Sequence, residues 1–121
     1  MSQNNSIAQL RPSSRDNGDA PPKIISFDRR ELFLILNTYG RMVAAGHWRD
    51  YDISHMEDFA VFSIFRRTAE YPIYRIVKRP NLNSKRGMYA ILGMDGRILR
   101  QGMDLGQVLK MFERKLMRVV N

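Results

Sequence analysis

Residues 27–50, FDRRELFLILNTYGRMVAAGHWRD, constrain the fold most strongly, because their apolar residues recur at helical spacing. Asp28 and Glu31 occupy the N-cap and N3 positions of a capping box. Gly46 follows the last periodic residue, where a left-handed C-terminal cap is expected. The segment therefore predicts a helix over about 28–45. Its core-facing stripe is predicted to contain Leu32, Ile35, Leu36, Tyr39, Met42 and Val43.

The composition is that of one soluble globular domain, with 121 residues, 44% hydrophobic and 26% charged. Residues 1–23 are rich in Ser, Asn, Asp, Gly and Pro, which predicts a disordered tail before a single domain over 24–121. No apolar run approaches the ~20 residues of a membrane span, and the N-terminus lacks the apolar region of a secretory signal. We therefore expect a cytoplasmic protein with no membrane partner.

The centre of the chain predicts an antiparallel sheet, because short runs of aromatic and β-branched residues alternate there with turn residues. We expect a meander of four strands, drawn from residues 51–54 (a weak signal), 59–66, 71–78, 88–93 and 98–101. Asp95-Gly96 predicts a two-residue type I′ turn between the last two segments. In that register Leu92 faces Leu99 and Ala90 faces Gln101.

A second helix is predicted after the sheet, with Asp104 as its N-cap and Gln107 completing a capping box. Its apolar stripe contains Leu105, Val108, Leu109, Phe112 and Leu116. The fold class that follows is α+β: an N-terminal helix, a four-stranded antiparallel meander and a C-terminal helix. Two amphipathic helices and one short sheet are best buried as two layers, with both helices on the same face.

Positive charge is concentrated in the middle of the chain. The net charge is +8, and residues 66–100 contain nine Lys/Arg and only two acids. This distribution favours an anionic partner, which could be nucleic acid, an acidic protein surface or anionic lipid. The alternative is a solvated basic surface that only confers solubility. If nucleic acid is bound, Tyr71 and Tyr74 would stack on bases. The predicted phosphate-binding residues are Arg66, Arg67, Arg75, Lys78, Arg79, Lys85 and Arg86.

A homodimeric interaction or structural module is the competing hypothesis. The strand predicted over 59–66 carries apolar residues of both parities, which predicts cover on both faces or one face buried in a dimer. Trp48, near a surface turn, adds a second apolar element. Acidic residues within 50–58 and basic residues within 66–86 could pair between two subunits.

A metal-dependent enzyme is the third alternative, and it depends on the turn over residues 47–58. His47, Asp50, Asp52 and His55 are the candidate ligands, since imidazole and carboxylate groups bind divalent metals. The two histidines are eight positions apart, which is not a recognised metal-binding spacing. No nucleophile elbow, phosphate loop or dinucleotide fingerprint occurs. We therefore expect a non-enzymatic protein without a cofactor and assign no catalytic residue.

The chain resembles a family of small uncharacterised bacterial proteins, domain-of-unknown-function family 2794. The residues that carry the resemblance are FDRREL and LILNTYGRMVAAGHWRDY within 27–51, AVFSIFRR at 60–67, YPIYRIVKRP at 71–80 and DLGQVLKMFERKL at 104–116. The resemblance implies a bacterial cytoplasmic protein. It implies no activity, cofactor or catalytic residue.

Overall fold

The computed structural model describes residues 24–67, 71–80 and 87–120, and the side chains of these residues up to 114. The predicted tail over 1–23 lies outside the described residues. Among the described residues, no helix is long and apolar enough to cross a membrane. The elements in chain order are α1 (Arg29–Ala44), β1 (Asp50–His55), β2 (Ala60–Phe65), β3 (Tyr74–Lys78), β4 (Tyr89–Gly93), β5 (Ile98–Gly102) and α2 (Leu105–Val120).

The predicted α+β class is confirmed, but the described part of the chain has five strands instead of four. The strands form one antiparallel meander in the order β1-β2-β3-β4-β5. The weakly predicted segment 51–54 is β1, and all six residues of β1 pair with β2. Its strand signal is weak because Asp50, Asp52 and Ser54 alternate with Tyr51 and Ile53, and Asp is depleted in strands.

Both ends of α1 follow the prediction. The side chain of Asp28 accepts from the Glu31 N–H at 2.8 Å, and the Glu31 carboxylate accepts from the Asp28 N–H at 2.7 Å, which completes the capping box. At the other end, Gly46 has a φ of +85° and His47 donates its N–H to the Met42 carbonyl at 2.9 Å. These are features of a Schellman cap, which a residue without Cβ adopts without strain.

The buried stripe of α1 is rotated from the predicted one. Its buried positions are Glu31, Ile35, Thr38 and Met42, whereas Leu36 and Val43 are exposed. Hydrophobicity alone misplaced the stripe, because two of its buried positions, Glu31 and Thr38, are polar residues. The Glu31 carboxylate can be buried because it has hydrogen-bonding partners.

The core lies between the sheet and the two helices, all on one face of the sheet, as predicted. It contains Phe27, Ile35, Met42, Trp48, Ala60, Phe62, Ile64, Ile76, Tyr89, Ile91, Leu105, Val108, Leu109 and Phe112. Trp48 is only 5% exposed, and its ring meets Phe112 edge-on at a centroid distance of 4.8 Å. Trp48 is therefore a core residue and does not form part of a dimer surface.

The β4–β5 connection differs from the predicted two-residue turn. Gly96 donates its N–H to the Gly93 carbonyl at 3.0 Å, and Gly93 donates to the Arg97 carbonyl at 2.9 Å. Gly96 has a φ of +86°. This is the pattern of a three-residue loop that ends in a left-handed glycine. As a result Leu92 pairs with Ile98 instead of Leu99, while the predicted pairing of Ala90 with Gln101 is confirmed.

A buried polar network joins the start of α1 to β3 and β4. The Glu31 carboxylate, 5% exposed, accepts from the Lys78 ammonium at 2.8 Å and from the Tyr89 hydroxyl. Lys78 also donates to the Ser26 carbonyl at 2.9 Å. The carboxylate, the ammonium and the hydroxyl all have partners, and satisfied groups of this kind define one packing arrangement.

We expect the variant Lys78→Met to lower the free energy of unfolding by roughly 2–4 kcal/mol, because it leaves the buried Glu31 carboxylate without its cation. Urea denaturation monitored by Trp48 fluorescence measures this loss.

The matched control is Arg97→Met, which also replaces a cation by methionine. Arg97 pairs with Asp95 at 3.6 Å with both side chains largely exposed, so its loss should cost at most about 1 kcal/mol. Equal effects of the two substitutions would contradict a special role for the buried network.

Candidate binding site on the open sheet face

No described helix packs on the second face of the sheet, which we call the open face. Cross-strand pairing fixes its composition, because paired residues in adjacent strands point to the same side. One row runs Asp52, Ser63, Arg75, Leu92 and Ile98 from β1 to β5. The next row runs Ser54, Val61, Val77, Ala90 and Gln101. The open face therefore combines aliphatic residues with charges of both signs.

A shallow groove of about 580 Å³ lies on the open face. Val61, Val77 and Leu92 supply its apolar floor, and Arg75 and Arg79 precede and follow Val77 at alternate positions of the same strand segment. The lining is completed by Asp58 and Phe59. Two guanidinium groups beside an apolar floor suit a ligand that offers both carboxylates and apolar groups.

Only some of the hydrogen-bond donors of Arg79 have partners within the described residues. Its Nη2 donates to the Gln101 side-chain oxygen at 2.7 Å. Its Nε is buried and has no hydrogen-bonding partner within the described part of the chain. A buried donor without a partner is unfavourable, so the Arg79 side chain is incompletely satisfied within the described residues.

Negative charge occupies the β1 side of the same face. Asp52 is exposed on β1, and Asp50 lies two residues earlier on the same side of that strand. Asp58, in the β1–β2 connection, lines the groove itself. The open face thus changes from acidic at β1 to basic at β3, whereas the charge of residues 66–100 predicts a basic sheet surface.

The structure does not bring the predicted phosphate-binding and stacking residues together on one face. Lys78 points to the helix side and is held by Glu31 and Ser26. Tyr74 also faces the helices, where its ring lies 5.0 Å from that of Phe112. Of the predicted set, Arg75 and Arg79 reach the groove on the open face.

The remaining predicted residues lie at the ends of strands or outside the described residues. Arg66 and Arg67 are exposed immediately after β2. Tyr71 precedes β3 and is 81% exposed. Lys85 and Arg86 fall in residues 81–86, which the structure does not describe.

The four candidate metal ligands do not share one element and one face. His47 follows α1, whereas His55 ends β1 and lies on the opposite side of that strand from Asp50 and Asp52. In the described ranges, no group of three or more His, Cys, Asp or Glu side chains could hold a metal ion. This geometry offers no support for the metal-enzyme alternative.

The apolar floor is what the charge-based prediction missed. Val77 and Leu92 carry no charge, so the charge of a segment gives no indication of them. The detectable signal was the mixed parity of residues 59–65, which already required contact on a second face. This signal could not show that Arg79 and Leu92 lie beside Val61. Their proximity depends on the pairing of β2 with β3 and of β3 with β4.

The fold and site define a class: a two-layer α+β protein whose five-stranded antiparallel sheet has helices on one face and a mixed-charge groove on the other. A family model described as "Protein of unknown function (DUF2794)" matches residues 25–109, and the chain belongs to that family. The predicted family is thereby confirmed. No curated protein and no solved structure matches the chain significantly.

Two tyrosines have pKa values displaced by the fold. Burial, and secondarily the Asp50 charge, raises the pKa of Tyr39 above its usual value. Burial and the hydrogen bond to Glu31 raise the pKa of Tyr89 much further. The Tyr89 hydroxyl therefore stays protonated in the folded protein at a pH where it ionises in the unfolded chain.

We expect folding stability to fall as pH rises above about 10, the ordinary tyrosine pKa. Above that pH the unfolded chain releases the Tyr89 proton and the native state keeps it, so unfolding is favoured. In Tyr89→Phe this contribution is absent, and its stability should fall less between pH 9 and pH 11. Denaturant titrations over this range compare the two proteins; parallel pH profiles would contradict the prediction.

Proposed function

We propose that this protein is a non-enzymatic binding module whose open sheet face binds an acidic, partly apolar protein surface. The observation that carries the proposal is the groove in which Arg75 and Arg79 flank Val77 beside the apolar side chains of Val61 and Leu92. Carboxylates of a partner would meet the guanidinium groups, and its apolar side chains would cover the floor.

An acidic protein surface suits the groove better than nucleic acid for two reasons. First, Tyr74 is packed between the sheet and α2, so it has no free ring face on the open side. Second, Asp52 and Asp58 share the face with the arginines. A continuous phosphate backbone would pass these carboxylates and be repelled by them.

One observation in the groove still supports the nucleic-acid hypothesis. Phe59 lines the groove and is 38% exposed, so an aromatic ring is present beside Arg79. Stacking of a base on Phe59 with a phosphate on Arg79 would be the corresponding contact. Single-stranded RNA is therefore included as a competing ligand in the test.

Binding of a labelled amphipathic peptide with Leu on one face and Glu beside it tests the proposal by fluorescence anisotropy. We expect saturable binding that weakens with added salt, and on the order of tenfold weaker binding for Arg75→Glu. The same peptide with Lys in place of Glu should not bind.

Lys110→Glu is the matched control, since it makes the same charge change at an exposed position of α2. It should leave the affinity within about twofold, because its charge is far from the groove and screened. If both variants weakened peptide binding equally, the effect would come from net charge alone, which would contradict the proposal. If single-stranded RNA bound more tightly than the peptide, and this binding depended on Arg75, the nucleic-acid hypothesis would replace the proposal.

A further inference from the structure

We infer that the acidic surface bound by the open face is the open face of a second copy of this chain. The inference rests on the proposed function and names the partner for the part of that site on β2 and β3. It follows from the position of opposite charges on strands at equal distances from β2, and from the apolar residues of β2 between them.

Asp52 and Arg75 are the two charges that carry the inference. Both pair with Ser63, one from each side, so they lie in one row on the open face. Two strand spacings separate them by about 10 Å, too far for a direct ion pair. Within the described residues neither of them forms an ion pair.

A two-fold axis that runs above β2 and parallel to it would pair these charges between copies. Rotation about such an axis places β1 of one copy over β3 of the other and brings the open faces together. Asp52 then lies opposite the partner's Arg75, and Arg75 opposite the partner's Asp52. Stacked sheets lie about 10 Å apart, a gap that Asp and Arg side chains can bridge together.

The residues along β2 fit this axis. Ser63 is small and lies on it, so the two backbones can approach without a large side chain between them. Val61 and Phe65 lie on the same face, are half-buried, and would each meet their own counterpart. The apolar residues of this parity in β2 therefore gain a cover that no described helix supplies.

Other positions of the axis are less favourable. An axis above β3 would place Arg75 against Arg75 of the second copy, which brings like charges together. With the axis above β2, three strands of each sheet overlap, an area of about 14 Å by about 20 Å. This is small beside the roughly 800 Å² per partner of a standard interface, so we expect a weak, concentration-dependent dimer.

The experiment is sedimentation of the full chain from micromolar to millimolar concentration, with charge-reversal variants. Asp52→Arg and Arg75→Asp should each weaken the dimer about tenfold or more, because each places like charges at both symmetric contacts. An equimolar mixture of the two variants should form a heterodimer, since both of its contacts then join opposite charges. The double variant D52R/R75D should dimerise like the wild type for the same reason.

Lys110→Glu is again the control and should dimerise like the wild type. A wild type that stays monomeric at all concentrations overturns the inference, as does a dimer that neither single variant weakens. Single variants that stay monomeric when mixed overturn it as well, because that result removes the Asp52–Arg75 pairing.

The outcome separates this inference from the proposed function. A monomeric protein that still binds the Leu/Glu peptide through Arg75 retains the proposed function and loses only the second copy as partner. A monomeric protein that does not bind the peptide loses both. Circular dichroism of each variant confirms that it is folded before either result is counted.

Discussion

The hydrogen bonds of the buried Glu31 carboxylate are the interactions on which the rest of the architecture depends. It completes the capping box of α1 and also accepts from Lys78 of β3 and Tyr89 of β4. One buried group thus fixes where the helix begins and which side of the sheet it packs on. A carboxylate buried to this degree is tolerated only because its partners are supplied by three different segments. The network therefore penalises any other register between α1 and the sheet.

This arrangement divides the sheet into two unlike faces. The helix face takes the large apolar and aromatic side chains, together with Lys78 and Tyr74. The open face keeps aliphatic residues of moderate size and charges of both signs. A face that had only to be solvated would not require Val61, Val77 and Leu92 beside two arginines. The same strands therefore stabilise the fold on one side and, under the proposed function, would present a binding surface on the other.

Local sequence signals predicted most of the fold and little of the site. The capping residues Asp28 and Glu31, the glycine cap at Gly46 and the helical periodicities depend on neighbours within a few positions, so they could be inferred directly. The three-residue turn at Gly96 was missed because Asp-Gly is compatible with more than one loop length. The side of the sheet to which Lys78 points was missed because it depends on Glu31, a contact 47 positions away. Segment charge cannot resolve such contacts, since alternate residues of a strand face opposite ways.

The position of charge therefore carries more information here than its sum. A net charge of +8 favours approach of any anion at long range. At contact distance the open face is mixed, because Asp52 and Asp58 accompany Arg75 and Arg79. A uniformly anionic polymer gains from the arginines and loses at the carboxylates, whereas a partner with the complementary pattern gains at both. Mixed charge of this kind would disfavour a ligand that carries charge of one sign only. In the inferred dimer the open face would itself supply the complementary pattern, so no second protein species would be needed.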